Sequence, residues 1–368
     1  MIRKVALVSP YSLGVFGGVQ DQVVSMSREL VRRGHDVLVV APDANDHVRC
    51  DSPAKVVRFG RRVVLPANGS RAPLTLSPIA AKRALEAVRD FHPDVVHFHE
   101  PFAPVVGWGV LLAHECAAVA TFHRSGGGPA LRYTGPLLRW LGSRLDASAA
   151  VSAAAASTIH EAARIEPEVL FNGFETEQFV ESPRVRENET VIVTVGRLED
   201  RKGTEFVVRA VLAHNERAPG RWRLVVIGDG PRRSALESIA AGDVMIRFEG
   251  ALDDVAKRQW LRRASVVVAP ATRGESFGLV MLEAMASEVP VVASDISGYR
   301  EASGGHAVLF APGDPVDLER AVVEALARET PDRLAAARRY AERWSMRSLV
   351  DAYESLYERA GEEFLSRR

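Results

Sequence analysis

The chain has 368 residues, of which 47% are hydrophobic, and its formal net charge is zero. That is enough for two domains with sizeable cores, without the basic excess of a nucleic-acid binder or a bulk attraction to an anionic membrane. Cys50 and Cys116 are the only cysteines, too few for a disulfide framework or a zinc cluster and suited to a reducing cytoplasm. The first strand is Val5 to Val8, and it opens the chain without the apolar core of a signal peptide. No stretch reaches the roughly 18 uninterrupted apolar residues of a membrane span; Pro101 to Ala113 is apolar but short and broken by glycine.

A loop from Ser9 to Gly18 follows, then a helix over about Val19 to Arg33 ended by Gly34, then a strand over Val37 to Val40. This is a βαβ unit. Its loop carries Gly17-Gly18-Val19-Gln20 rather than the Gly-x-Gly-x-x-Gly of a dinucleotide fold, which counts against a dehydrogenase. The glycine pair reads as a ligand loop, with a tight turn as the plainer alternative. A less regular stretch holds a turn at Pro66 to Arg71. A helix over Ser77 to Phe91, a strand over Asp94 to His99 and a strand over Ala117 to Phe122 come next, the last running into His123 and a glycine-rich loop. Val169 to Phe174 reads as the crossing into a second βα series, whose strands begin at Val191, Leu224, Ile246, Val266, Val291 and Val308. Helices over Ala335 to Arg343 and Leu349 to Phe364 close the chain. The economical architecture is two doubly wound domains facing each other across a cleft.

Chemistry concentrates in Arg273 to Ala286. The apolar run Val266 to Pro270 is a buried strand, and Leu279, Leu282 and Ala286 recur at helix spacing. Arg273 to Phe277 is therefore a strand-to-helix loop, which in a parallel sheet lies over the carboxyl ends of the strands, where ligands bind. Glu275 precedes the helix and Glu283 lies within it. The amides of Phe277, Gly278 and Leu279 open the helix and can hold an anion; Gly278 admits close backbone approach. Carboxylates on both sides of a phosphate-ready helix suit a ligand with hydroxyls at both ends and phosphate between.

A second loop, Gly196 to Gly203, places Arg197 and Lys202 after a strand and before a helix, as a pyrophosphate clamp; Arg grips oxygens bidentately and Lys adds a compact charge. Arg201 reads as decoration of a solvated turn. Gly228, in Gly228-Asp229-Gly230, serves a nucleotide or simply connects strand to helix. His97, His99 and His123 sit at strand ends, where a structural role is common. No Asp-x-Asp, His-x-x-x-His or Cys-x-x-Cys spacing supports a metal site.

Gly274-Glu275-Ser276-Phe277-Gly278-Leu279-Val280-Met281-Leu282-Glu283-Ala284-Met285-Ala286 resembles the donor-site signature of retaining family 4 glycosyltransferases of the GT-B fold. The resemblance implies two Rossmann-like doubly wound domains facing across a deep cleft. Residues 1–174 would form an acceptor-binding domain and 175–346 a nucleotide-sugar-binding domain, while 347–368 would be a helix crossing back onto the first. It implies no cofactor and no metal. Donor-binding residues would be Gly18, Arg197, Lys202, Gly228, Glu275, Phe277, Gly278, Leu279 and Glu283, with His123, Glu275, Arg197 and Lys202 catalytic.

Ser9-Pro10-Tyr11-Ser12, Gly17-Gly18-Val19-Gln20, Asn68-Gly69-Ser70 and Ala120-Thr121-Phe122-His123 further resemble phosphatidyl-myo-inositol mannosyltransferases. This implies transfer of mannose from GDP-mannose to a lipid or polyol acceptor held by Tyr11, Gly17, Gly18, Gln20, Asn68 and Arg71. It also implies a cytoplasmic protein with a peripheral contact to the inner membrane leaflet and no nucleic-acid partner. Two departures bear on the acceptor. The helix after Asn68-Gly69-Ser70 offers only Lys82, Arg83 and Arg89 where the subgroup has a dense basic cluster, and the loop after His123 is glycine-rich. Another nucleotide sugar with a soluble acceptor, or a non-catalytic sugar-nucleotide-binding module, are the alternatives.

Overall fold

The computed structural model describes the chain apart from residues 1, 15–16, 44–51, 62, 68–69, 76, 104–105, 125, 127–128, 181–184, 186, 218–219 and 276, and apart from the side chains of 43, 61, 63–67, 70–74, 129–133 and 180. It divides into two compact units, Met1–Phe174 with Met346–Arg368, and Glu175–Ser345.

In unit 1 the elements run β1 (Lys4–Val8), α1 (Gly18–Arg32), β2 (Asp36–Asp43), β3 (Lys55–Arg61), β4 (Val63–Ala67), β5 (Ser70–Leu74), α2 (Pro78–Phe91), β6 (Val95–His99), α3 (Val106–Leu111), β7 (Ala117–Phe122), α4 (Pro129–Gly142), β8 (Ala147–Ala150), α5 (Ala153–Ala163) and β9 (Glu168–Val169). Seven strands form a sheet in the order β3-β2-β1-β6-β7-β8-β9, and its described pairings are parallel. Alternation along each strand feeds two cores, as expected of a sheet covered on both faces. Ala6, Val8, Val96 and Phe98 pack on one side with Ala84, Val88 and Ile159. Val5, Leu7, Val95 and Val119 pack on the other with Val23, Met26 and the C-terminal helix Met346–Ser366.

That helix buries Leu349, Val350, Tyr353, Leu356, Tyr357 and Ala360, a stripe at helical spacing. Burying a side chain of Leu or Val size contributes about 1.5–3 kcal/mol. Arg33 ties the helix to α1 through Asp351 (2.6 Å) and Glu354 (2.5 Å). One sequence expectation is met here and one needs correction. The turn expected at Pro66 to Arg71 falls where the chain reverses between the antiparallel strands β4 and β5, in which Ala67 faces Ser70. The crossing segment expected from Val169 begins in β9, which pairs with β8 at the sheet edge.

Unit 2 contains α6 (Glu177–Val180), β10 (Thr190–Val195), α7 (Thr204–Arg217), β11 (Trp222–Ile227), α8 (Arg233–Ala240), β12 (Ile246–Gly250), α9 (Asp254–Arg263), β13 (Val266–Ala269), α10 (Leu279–Ala286), β14 (Val291–Ser294), α11 (Ser297–Ser303), β15 (Ala307–Phe310), α12 (Pro315–Ala327) and α13 (Pro331–Glu342). Its six strands are ordered β12-β11-β10-β13-β14-β15. Helix starts repeat one device. Ser77, Ser152, Asp253, Asp314 and Thr330 cap α2, α5, α9, α12 and α13 through their side chains, and Pro follows in the first turn of α2, α12 and α13.

Both sheets reverse direction once. In unit 1 the chain moves outward from β1 to β3 and returns beside β1 as β6; in unit 2 it moves from β10 to β12 and returns as β13. At such a switch point the loops after the two neighbouring strands diverge and leave a crevice at the carboxyl edge. The loops concerned are those after β1 and β6, and those after β10 and β13.

Candidate active site

In unit 2 the loop after β10 coils into a 3-10 turn, Asp200–Lys202, closed by Gly203 in the left-handed region (φ 68°). It is fastened to the loop after β13: the Thr272 amide donates to the Arg201 carbonyl (2.8 Å), and Arg201 Nη1 donates to the Gly274 carbonyl (3.2 Å). The side chains alternate in charge. Arg197 lies 3.3 Å from Glu199, Glu199 3.1 Å from Arg201, and Glu275 Oε1 receives both Arg201 (2.7 Å) and Lys202 (2.6 Å). Three cations against two carboxylates leave one positive charge over, at a half-buried crevice where electrostatic interactions exceed those in water.

The expectation that Arg201 decorates a solvated turn is overturned. The tight turn brings its guanidinium back beside Lys202, and its side chain is only 27% exposed. Arg197, at 49%, is the more open of the two arginines.

α10 follows directly. Gly278 precedes it with φ 77°, which only glycine adopts without strain. The chain itself fills the side where a Cβ would stand, since an added Cβ would lie 2.8 Å from the Tyr299 ring and 2.7 Å from Met281. Phe277 is a core side chain, its ring 4.8 Å from Trp344. Leu279 is half-buried at the helix start.

Glu283 is not a solvated helix residue: it is 8% exposed. Oε1 accepts from Lys257 Nζ at 2.9 Å, whereas Oε2 is buried without a partner among the described residues. A buried carboxylate oxygen with an unspent lone pair is costly unless something donates to it, and a ligand hydroxyl is such a donor.

Gly228 packs tightly against the neighbouring loop. A Cβ there would overlap the Gly196 carbonyl oxygen, and a Cβ on Gly230 would meet Leu198 backbone atoms. The Leu198 amide donates to Asp229 (3.0 Å) and the Gly196 amide to Ile227 (2.9 Å). The glycines after β11 thus seat the cation-bearing loop.

In unit 1 the register pairs His97 with Val119 and His99 with Thr121, which brings His123 two residues beyond the strand pair. His97 lies within β6, not at its end, and is fully buried. His123 Nε2 is 3.0 Å from His99 Nδ1. Burial holds the imidazoles of His97 and His123 neutral, pushing each down to about 3. Glu100, at φ 52°, turns its carboxylate onto the next loop and accepts from the amides of His123 (2.5 Å) and Arg124 (2.7 Å). Burial raises the Glu100 pKa, against those two hydrogen bonds.

Tyr11 lies among the same groups; burial, then the Glu100 charge, push its phenol up. Gly17 precedes α1, and the Gln20 side chain folds over it and reaches the Ser12 carbonyl at 3.5 Å. Gly18 is exposed, with open space where a Cβ would stand. Asn68 and the Arg71 side chain lie outside the described residues.

The structure thus gathers Arg197, Lys202, Glu275 and Gly278 at one switch point, and Tyr11 with His123 at the other. Sequence reasoning missed Arg201, Lys257, Tyr299 and Glu100 as parts of these groups. For Arg201 and Glu100 a signal existed, a charged residue directly beside a singled-out Lys202 or His99 in a switch-point loop.

Residues 16–178 match the family described as Glycosyltransferase Family 4, and residues 189–328 that described as Glycosyl transferases group 1. A phosphatidyl-myo-inositol mannosyltransferase of Propionibacterium freudenreichii subsp. shermanii is 32% identical over 99% of this chain and 97% of its own. One of Mycolicibacterium smegmatis is 33% identical over 96% and 94%. A GDP-mannose-dependent alpha-mannosyltransferase of the latter organism is 31% identical over 81% of each chain. Among solved structures, a glycosyltransferase from Rickettsia africae superposes with TM-score 0.76 at 15% identity over 98% of both chains. HepE of Anabaena, solved with UDP and glucose, superposes with TM-score 0.72 at 18% identity over 97% of this chain and all of that one.

Proposed function

The chain belongs to the family 4 glycosyltransferases and has the GT-B fold, and from that membership we propose that it moves mannose from GDP-mannose to phosphatidyl-myo-inositol or a related glycolipid. The relatives' names support mannose, GDP and the inositol lipid. The observation that carries the donor side is the Arg201–Glu275–Lys202 pairing at the unit 2 switch point, with its surplus positive charge.

On this reading Arg197, Arg201 and Lys202 meet the diphosphate and stabilise the charge that grows on it as the glycosidic bond breaks. The first amides of α10 add partial positive charge. Glu283 Oε2 accepts from ribose hydroxyls. Glu275 stands beside the hexose, its position fixed by the two cations that also face the diphosphate. His123 orients the hexose. Tyr11, Gly17, Gly18 and Gln20 serve the acceptor, as do Asn68 and Arg71.

Transfer retains the anomeric configuration by front-face attack. The acceptor oxygen bonds to the anomeric carbon on the side from which the phosphate leaves, and that phosphate takes the acceptor's proton. A double displacement needs a carboxylate close to the anomeric carbon on the opposite face; Glu275 is held instead on the diphosphate side. The protein's share is positioning and charge stabilisation.

The lipid acceptor brings the enzyme to the membrane surface. No described helix is long and apolar enough to cross a bilayer. The segment Pro129 to Arg144, however, carries Arg132, Arg139 and Arg144 and no acidic residue, and α4 leaves Leu137 and Trp140 41% and 49% exposed. A basic helix with an exposed Trp and Leu suits the headgroup region of an anionic leaflet. A thermal-shift panel of GDP-mannose, UDP-glucose and ADP-glucose tests the donor. GDP-mannose should stabilise most, by about 2.7 kcal/mol at a hundred times Kd. Stronger stabilisation by a UDP or ADP sugar overturns the donor assignment.

A further inference from the structure

In unit 1 the imidazoles of His97, His99 and His123 form a stack whose hydrogen-bond pattern fixes where the protons lie. The His97 and His99 ring centroids are 4.5 Å apart and those of His99 and His123 5.3 Å, each pair inclined by 27°. His97 is saturated: Nδ1 meets the Tyr357 hydroxyl at 2.8 Å, and Nε2 meets Thr121 Oγ1 at 2.6 Å. Thr121 Oγ1 is in turn 2.6 Å from the Tyr353 hydroxyl. Both tyrosines come from the buried face of the C-terminal helix, so the stack rests on a rigid floor. His99 is 2% exposed, and its Nε2 is buried without a partner among the described residues. Among the described residues, the one polar link of the His99 ring is Nδ1 to His123 Nε2, at 3.0 Å.

With both rings neutral, a single hydrogen lies between these nitrogens, and there are two ways to place it. If His123 Nε2–H donates, His99 carries its own hydrogen on Nε2, and a buried N–H is left with no acceptor. If His99 Nδ1–H donates, the group left over is only a lone pair on His99 Nε2. Orphaned buried N–H groups are the rarer of the two in folded proteins, because a donor has one hydrogen to satisfy and loses all of it. The second arrangement is favoured. It obliges His123 to accept at Nε2 and to carry its hydrogen on Nδ1, which has no hydrogen-bond partner among the described residues.

We infer that His99 is a positioning residue that fixes the tautomer of His123, so that His123 meets the transferred hexose as a hydrogen-bond donor through Nδ1–H. The catalytic consequence rests on the reading of His123 as a hexose contact; the tautomer does not. A sugar hydroxyl or ring oxygen would thus accept from His123, and the same nitrogen would be unable to act as a base.

The test is long-range ¹H–¹⁵N correlation on the full chain labelled with ¹⁵N-histidine, near neutral pH, without ligand. The His99→Asn and His123→Gln variants identify the signals by their loss. Pyrrole-type Nδ1 and pyridine-type Nε2 are expected for both His99 and His123. A hydrogen on His123 Nε2, or a charged ring, overturns the inference. In His99→Leu, the His123 signals should shift to a tautomer mixture, kcat should fall about tenfold, and the donor KM should stay within about twofold. His99→Asn, whose amide can donate from nearly the place of Nδ1–H, should recover most of kcat. A wild-type tautomer as expected with unchanged kcat in His99→Leu upholds the tautomer and overturns the hexose role of His123. Should His99→Leu fail to fold, the wild-type spectrum and His99→Asn still decide.

Discussion

Replacing Lys202 by Ala separates stability from donor binding. Lys202 Nζ sits 2.6 Å from Glu275 Oε1, and the two side chains are 21% and 15% exposed. Glu275 does not become an orphan in the variant, because Arg201 stays 2.7 Å from the same oxygen. Loss of folding stability should therefore be near the range of surface pairs, about 1 kcal/mol or less, or a few degrees in Tm for a unit of this size. Donor binding should suffer more. With Lys202 gone, the ion-pair chain falls from one surplus positive charge to none, and the diphosphate loses a charge-assisted hydrogen bond worth about 1.5–3 kcal/mol. That is a rise of about 10- to 150-fold in Kd for GDP and GDP-mannose alike. Isothermal titration with both ligands, beside a urea melt, measures the two effects. A Kd within threefold of wild type in a folded variant would refute the clamp. An equal loss in stability and in binding would assign Lys202 to the scaffold.

Glu283→Gln keeps the shape but gives up the carboxylate facing Lys257, so donor Kd should rise about tenfold as the ribose contact weakens; unchanged titration curves would return Glu283 to a purely structural pair. Glu100→Ala frees the amides of His123 and Arg124 and should lower kcat by about tenfold or more with donor KM little changed, measured by steady-state kinetics; Glu100→Gln, which keeps an acceptor, should lie between. Acid should destabilise the chain through its buried histidines. His97 and His123 titrate near 3 when folded against 6.5 ordinarily, so the unfolded chain takes up protons first. The stability they preserve is complete above pH 6.5 and is lost as pH falls from there toward 3, by about 2 kcal/mol per histidine at pH 5. Urea midpoints of wild type and His97→Gln between pH 7 and 5 should converge, and parallel lines would contradict the linkage. Trp140→Asp with Leu137→Asp should abolish co-flotation with anionic vesicles while leaving GDP binding intact; retained flotation removes α4 from the membrane contact.

The βα series was legible because strands buried on both faces appear as short apolar runs, Val5 to Val8 or Val266 to Ala269, between amphipathic stretches. The β4–β5 pair was not read, although Asn68-Gly69 between Val63-Val64-Leu65 and Ser70-Arg71-Ala72 is a hairpin signal, because prolines at 66 and 73 spoil the strand pattern. The carboxylates and cations of unit 2 stood out as motif residues, but their pairing did not. Arg201 and Glu275 are 74 positions apart, and they meet only because β13 returns beside β10. Arg201 reads in the sequence as decoration of a solvated turn; the 3-10 coil that carries it back beside Lys202 has no signal there. Gly278 reads in the sequence as admitting close approach to the backbone and Gly228 as serving a nucleotide or connecting strand to helix; the structure adds that the Tyr299 ring and the Gly196 backbone fill the side where a Cβ would stand. A sequence shows that a glycine is needed without showing what approaches it.

The most direct test of the central claim is the product itself. Purified protein would be incubated with GDP-mannose and vesicles containing phosphatidyl-myo-inositol, with a parallel arm offering soluble inositol phosphate. The lipid product would be isolated for mass and for the anomeric coupling of the new linkage. The account predicts one mannose added to the inositol lipid with the α configuration of the donor. A β linkage, or release of free mannose with no transfer to lipid, would contradict it.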